Sequence, residues 1–126
     1  MARTFRNIQI EGRDAWALFD TGSLRSYIRD ELAPNTRQKV SPFKVGIGGG
    51  RFTLNEVCLL RCEIEGLGFD VKAYPVKRIG KDEHGREIDV IIGATAMGEW
   101  GLTPDPKTGS IDLTFLRKRE FTEFKI

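Results

Sequence analysis

Histidine is nearly missing from this chain: one residue in 126, His84, inside a charged stretch. Metal centres and histidine-based nucleophile triads therefore have almost no material, and no metal or other cofactor is implied. Cysteine is scarce too. Cys58 and Cys62 stand four apart in a segment that reads as a strand, on one face, too far apart along extended backbone for an unstrained bridge. They are expected to be reduced thiols in the core. No apolar run approaches transmembrane length, and residues 1–7 lack the apolar stretch of a signal peptide. The expectation is a cytoplasmic protein with no membrane partner. An excess of one charge is also lacking. Twenty Lys and Arg against eighteen Asp and Glu leave +2, too little to imply nucleic acid, and Arg117-Lys118-Arg119 reads as a solvated run. Internal repeats and linkers are absent.

What remains has the composition of a single soluble globular domain spanning residues 1–126, 40% hydrophobic and 30% charged, long enough for a genuine core. Short strands alternate with turns. Residues 3–10 alternate polar and apolar, with Ile8 and Ile10 on one side, and Glu11-Gly12-Arg13-Asp14 reads as a hairpin turn. Residues 15–19 form the second strand, with Trp16, Leu18 and Asp20 on one side and Ala17 and Phe19 on the other. A strand end and a helical turn follow, stopped by Pro34. Pro42 marks an edge strand over residues 38–44. Residues 54–64 and 69–76 are long strands, 77–87 a charged loop, 88–92 a buried strand and 94–100 a short helix. Strands are expected again near 101–103 and 110–115. The pattern predicts an all-β closed barrel with one or two short helices.

Three segments carry the chemistry. The apolar strand runs straight into Asp20-Thr21-Gly22-Ser23, which would set a carboxylate on a tight turn. Thr21 is suited to tie that turn to a partner chain, Gly22 to allow close backbone packing, and Ser23 to donate a hydrogen bond to the ionised carboxylate. Val45-Gly46-Ile47-Gly48-Gly49-Gly50 reads as a glycine-rich hairpin. A phosphate-binding nest is the other reading, but it would want a Gly-Lys-Ser/Thr that is missing. Asp89-Val90-Ile91-Ile92-Gly93 is an apolar strand that ends in glycine before a helical pattern. Taken singly, the Asp-Thr-Gly triplet is no more than a strand and a turn.

In this order and spacing, the three segments resemble the retropepsin-like aspartic peptidases, over roughly residues 8–113. The resemblance implies that Asp20, in the turn completed by Thr21 and Gly22, is the catalytic carboxylate. It implies that residues 43–53 form a flap with its tip near Gly48-Gly49, and that Ile91-Ile92-Gly93 threads behind the active-site loop. It further implies a cleft lined by Leu18, Ile47 and Ile91 favouring large apolar side chains, although Leu18 and Ile91 serve equally well as plain core. Aspartic peptidases use two carboxylates sharing one proton. The chain has one Asp-Thr-Gly, so the second carboxylate is expected from Asp20 of a symmetry mate in a homodimer.

The pattern is not followed throughout. Leu24 and Arg25 stand where retroviral members commonly carry an acidic pair; Arg25 either favours acidic substrate side chains or is simply solvated. Ala94 replaces an arginine that often supports the dimer. Ser23 matches the cellular version. Residues 115–126 extend beyond the family core, with Phe121, Phe124 and Ile126 alternating with charges. They are expected either as dimer strands or as an extension over the barrel. The function expected is an endopeptidase acting on peptides or proteins. The alternative is a catalytically silent barrel that binds a peptide by strand addition. A nucleic-acid-binding barrel rests only on weak positive charge and scattered aromatics.

Overall fold

The computed structural model describes residues 2–121 and 123. Its strands are β1 (Arg3–Ile10), β2 (Arg13–Asp20), β3 (Ser26–Arg29), β4 (Gln38–Ile47), β5 (Gly50–Ile64), β6 (Leu67–Val76), β7 (Val90–Ile92), β8 (Thr103–Asp105) and β9 (Ser110–Asp112). Two short helices, α1 (Ala94–Trp100) and α2 (Thr114–Lys118), and a 3₁₀ turn over Asp30–Leu32 complete it. Seven strands form one sheet in the order β1-β2-β7-β3-β6-β5-β4, and β8 and β9 form a separate pair. β1 also reaches β5, through Gln9↔Glu63 and Ile10↔Cys62.

Three hairpins share one construction. At Glu11-Gly12, Gly48-Gly49 and Glu65-Gly66 both turn residues take positive φ, the geometry whose twist suits a two-residue connection between antiparallel strands. Glu11 holds its strained conformation while its carboxylate accepts the Arg61 N–H at 2.7 Å. The short first hairpin fixes a register in which Arg3 lies opposite Asp20 and Ile10 opposite Arg13.

The two faces of β2 serve different interiors. Ala15, Ala17 and Phe19 enter the main core, where Phe19, Ile28, Leu60, Ile64, Ile92 and Leu116 are fully buried. Each such large apolar side chain contributes about 1.5–3 kcal/mol by leaving water. Leu18, on the opposite face, joins a second apolar cluster with Tyr27, Ile47, Leu54, Ile79 and Ile91, against which Trp16 packs. The alternation expected for β2 is therefore realised, and it leaves Asp20 on the side of the second cluster.

β7 is flanked by β2, to which it runs parallel, and by β3, to which it runs antiparallel. Being covered on both faces, it reads Val90-Ile91-Ile92 without alternation. β4, with Pro42, is the edge strand, and its pairing to β5 shifts register between Lys39 and Phe43. Cys58 and Cys62 are buried free thiols, as expected.

The C-terminal part departs from expectation. Residues 114–118 form α2, where the sequence suggested the end of a strand followed by either dimer strands or an extension over the barrel; the described part packs against its own chain, as the second alternative has it. Asp112 accepts the N–H and hydroxyl of Thr114 at 2.9 and 2.6 Å, turning the chain into the helix, and the turn carries Leu116 into the core. Phe121 packs edge-on against Trp100 at 5.6 Å within the same chain. Phe124 and Ile126 lie outside the described residues. No helix among the described residues is long and apolar enough to cross a membrane.

Candidate active site

β2 delivers Asp20 to the end of the sheet, and a short network fixes the turn that follows. The Gly22 N–H donates to Asp20 Oδ1 at 2.8 Å, and the Ser23 N–H donates to the Asp20 carbonyl at 3.1 Å. Thr21 is clasped by Ala2 of its own chain. The Thr21 N–H donates to the Ala2 carbonyl at 2.9 Å, and the Ala2 N–H donates to Thr21 Oγ1 at 2.7 Å. The hydroxyl expected to reach a partner chain is thus engaged within one chain. Ser23 also differs from expectation: its hydroxyl donates to the Arg25 carbonyl at 2.8 Å rather than to the carboxylate. That carbonyl lies two residues on, within reach of a local turn. The backbone N–H of Gly22 supplies the hydrogen bond to the carboxylate instead.

The segment after β7 backs this turn. Gly93 donates its N–H to the buried Ser26 hydroxyl at 2.9 Å, Ala94 to the Ser23 carbonyl at 2.6 Å, and Thr95 to the Leu24 carbonyl at 3.2 Å. A Cβ at Gly93 would collide with the Arg25 carbonyl and approach the Ser23 carbonyl within 2.8 Å. Only glycine permits that approach, which is the physical content of the Ile91-Ile92-Gly93 pattern. Ala94 acts through its backbone here.

A groove of about 510 Å³ opens in front of Asp20. Its floor is polar, with Asp20, Gly22 and Ser23. Leu18, Tyr27, Ile88 and Ile91 supply apolar surface, and the β4–β5 hairpin contributes Ile47 and Gly48. Burial raises the pKa of the Tyr27 hydroxyl above its ordinary 10.0, outweighing nearby Arg25, so the phenol stays neutral. The hairpin tip rests on the loop after β6, where a Cβ at Gly48 would come within 2.8 Å of the Ile79 carbonyl. Seven of the ten residues expected at the site line this one groove: Leu18, Asp20, Gly22, Ser23, Ile47, Gly48 and Ile91. Thr21 clasps Ala2 beside it. Gly49 takes the open side of the hairpin turn. Arg25 is not in the lining but stands beside it, near the Tyr27 hydroxyl and with its guanidinium 5.1 Å from the centre of the Phe43 ring.

Two cations outside the three motif segments, Arg3 and Lys81, also line the groove. Arg3 Nε lies 3.4 Å from Asp20 Oδ2, with the Arg3 side chain 58% exposed and that of Asp20 15% exposed. The four-residue turn expected at Glu11–Asp14 would set Arg3 opposite Gly22; the observed turn is the two residues Glu11-Gly12, and it sets Arg3 opposite Asp20. Lys81 arrives from a loop sixty residues along the chain, with no local signature. Among the described residues lining the groove, Asp20 is the one carboxylate. Also among the described residues, no group of three or more His, Cys, Asp or Glu side chains is arranged to hold a metal ion.

No family model and no curated protein sequence matches the chain. Solved structures do. The protease of simian foamy virus (mac), solved in solution, aligns at 10% identity with a TM-score of 0.45, covering 76% of this chain and 91% of the viral one. The crystal structure of the retroviral protease-like domain of Ddi1 from Leishmania major aligns at 16% identity with a TM-score of 0.50, covering 89% of this chain and 88% of that domain. A strand-delivered Asp-Thr-Gly turn, backed by a glycine-ended strand and faced by a hairpin, thus sits in a chain whose fold is retropepsin-like.

Proposed function

We propose that the chain is an aspartic endopeptidase, acting as a homodimer in which the Asp20 residues of two copies meet on a two-fold axis. The observation that carries this reading is the setting of Asp20. Among the described residues it is the single carboxylate lining the groove, held by the Gly22 N–H, with Leu18 and Ile91 beside it and Ile47 and Gly48 of the β4–β5 hairpin in the same lining. A peptidase of this chemistry needs two carboxylates about 3 Å apart, which cannot both be ionised. One copy supplies one, and two-fold symmetry supplies the other.

In the dimer, the ionised Asp20 draws a proton from water while that water attacks the scissile carbonyl. The protonated Asp20 hydrogen-bonds to the carbonyl oxygen and then helps protonate the leaving nitrogen. The hairpin acts as the flap, opening for substrate and offering the N–H groups of Ile47 and Gly48 to the peptide backbone. Leu18, Ile47 and Ile91 receive apolar side chains beside the cut. The β1–β5 pairing supports reading the sheet as a closed barrel.

A second reading is a barrel that binds peptides without cutting them. The Arg3–Asp20 ion pair favours it, because Oδ2 faces a guanidinium while Oδ1 is held by Gly22. One comparison separates the two readings. The wild type and Asp20→Asn are incubated with a peptide library across acid and neutral pH, with sedimentation at micromolar concentration in parallel. Cleavage by a dimer that falls about 10²–10⁴-fold in Asp20→Asn supports the endopeptidase. Peptide binding by both with every peptide intact supports the binding module. Cleavage by a species that sediments only as a monomer overturns the shared dyad.

A further inference from the structure

The groove holds more positive charge than its own carboxylate uses. Arg3 is engaged with Asp20. Lys81 lines the same groove, is exposed, and has no ion-pair partner among the described residues; Glu87, opposite it in an isolated bridge, makes none with it. The backbone of Lys81 is nevertheless fixed on both sides. Before it, the Gly80 carbonyl accepts the Ile88 N–H at 2.9 Å. After it, Asp82 accepts the Trp16 indole N–H at 2.9 Å and the N–H groups of His84 and Arg86, each at 2.9 Å. Lys81 also stands two residues beyond Ile79, whose carbonyl abuts the hairpin tip at Gly48. A flexible cation on an anchored stem is thus presented where the hairpin meets the groove wall.

We propose that Lys81 is a specificity-determining residue, reading an acidic side chain on an extended peptide within two or three residues of the apolar side chains in the groove. This rests on the reading of the groove as a peptide site. A groove of this volume spans roughly 8 Å, or about two to three residues of extended chain. A Glu or Asp placed that far along meets an ammonium that has no ion-pair partner among the described residues, whereas a Lys or Arg there is repelled by it.

The test uses labelled peptides with one shared apolar centre and a Glu, Gln or Lys two or three positions away. Binding is read by fluorescence anisotropy with peptides whose central bond is an uncleavable isostere, on protein that keeps Asp20 so that Arg3 stays paired, at about 0.05 M and about 0.5 M salt. The Glu peptide is expected to bind about three- to fivefold tighter than the Gln peptide at low salt, the range of an exposed ion pair, and less so at high salt. Adding Lys81→Gln abolishes the preference, and adding Lys81→Glu transfers it to the Lys peptide, with thermal unfolding of both variants unchanged. Binding of all three peptides without preference overturns this inference alone, as does a preference that survives Lys81→Glu. Binding of none of them overturns it together with the peptide-groove reading.

Discussion

Gly93 lies so close behind the Arg25 carbonyl that a side chain cannot be inserted between them. The contact joins two backbones far apart in sequence, and the Asp20 turn rests on it through the Ser23–Ala94 and Leu24–Thr95 hydrogen bonds. Both neighbours are backbone rather than flexible side chains able to swing aside, so the strain of a larger residue falls on the main chain of the site itself.

Gly93→Ala is therefore expected to cost about 2–4 kcal/mol of stability, measured by urea unfolding, and to impair any activity dependent on Asp20. Gly98→Ala is the matched control. Gly98 is exposed within α1, an added Cβ meets nothing within 4 Å, and alanine favours helix, so this variant is expected to be neutral or about 0.5–1 kcal/mol more stable.

The hairpin tip allows a similar pair. Gly48 has φ of +54° and meets the Ile79 carbonyl, whereas Gly49 has φ of +84° and open space around it. Both alanine variants bear the backbone penalty, about 1–2 kcal/mol. Gly48→Ala also pushes the tip off the loop. Faster amide hydrogen exchange in residues 45–52 is expected for Gly48→Ala and to a smaller degree for Gly49→Ala.

Asp89 links three strands. Its Oδ1 accepts from Arg29 Nη2 and Nε at 2.8 and 3.1 Å, and its Oδ2 accepts the Trp16 N–H at 2.7 Å. Both side chains of the ion pair are largely shielded. Asp89→Ala leaves Arg29 only Glu31 and strands the Trp16 N–H. A loss of about 2–4 kcal/mol in chemical unfolding is expected, with Asp89→Asn milder because it keeps an acceptor.

Acid should loosen the loop over Trp16. Desolvation raises the pKa of Asp82, but hydrogen bonds from the Arg86 N–H, the Trp16 indole and the His84 N–H outweigh it and lower the pKa below its ordinary 3.8. The folded state thus holds this carboxylate ionised more firmly than the unfolded chain does. The stabilisation is complete above pH 3.8 and is lost as pH falls through the lower folded value. A change in tryptophan emission in that acid window is expected for the wild type, and its absence from Asp82→Asn checks the assignment.

The thiols should behave in the opposite sense. Burial pushes Cys58 up to about 11 and Cys62 further. Unfolded thiols ionise near their ordinary 9.0, so the stabilisation from Cys58 is complete below that pH and declines as pH rises towards 11. Alkylation at about pH 8 is expected to be negligible in the folded protein and rapid once it is unfolded, as read by mass spectrometry.

Much of the site could be read in the sequence because local rules place it. A positive-φ turn at Glu11-Gly12 defines the first hairpin, β2 alternates between two apolar interiors, and a glycine ends β7 where backbone must pass behind backbone. The place of Arg3 depends on that turn being two residues long rather than the four expected. The Arg29–Asp89 pair and the arrival of Lys81 depend on crossovers sixty residues apart, for which no periodicity speaks. The orientation of Ser23 and the start of α2 at Thr114 depend on side chains bonding to neighbours two residues away, where strand, turn and helix residues look alike.

The clasp between Ala2 and Thr21 and the brace from Gly93 to Thr95 are made at opposite times in biosynthesis. A ribosome releases the acid-bearing hairpin before its backing, which must wait until Gly93 emerges. A nascent or prematurely terminated chain thus displays its Asp-Thr-Gly without a finished site, which delays any reactivity until the main core can close.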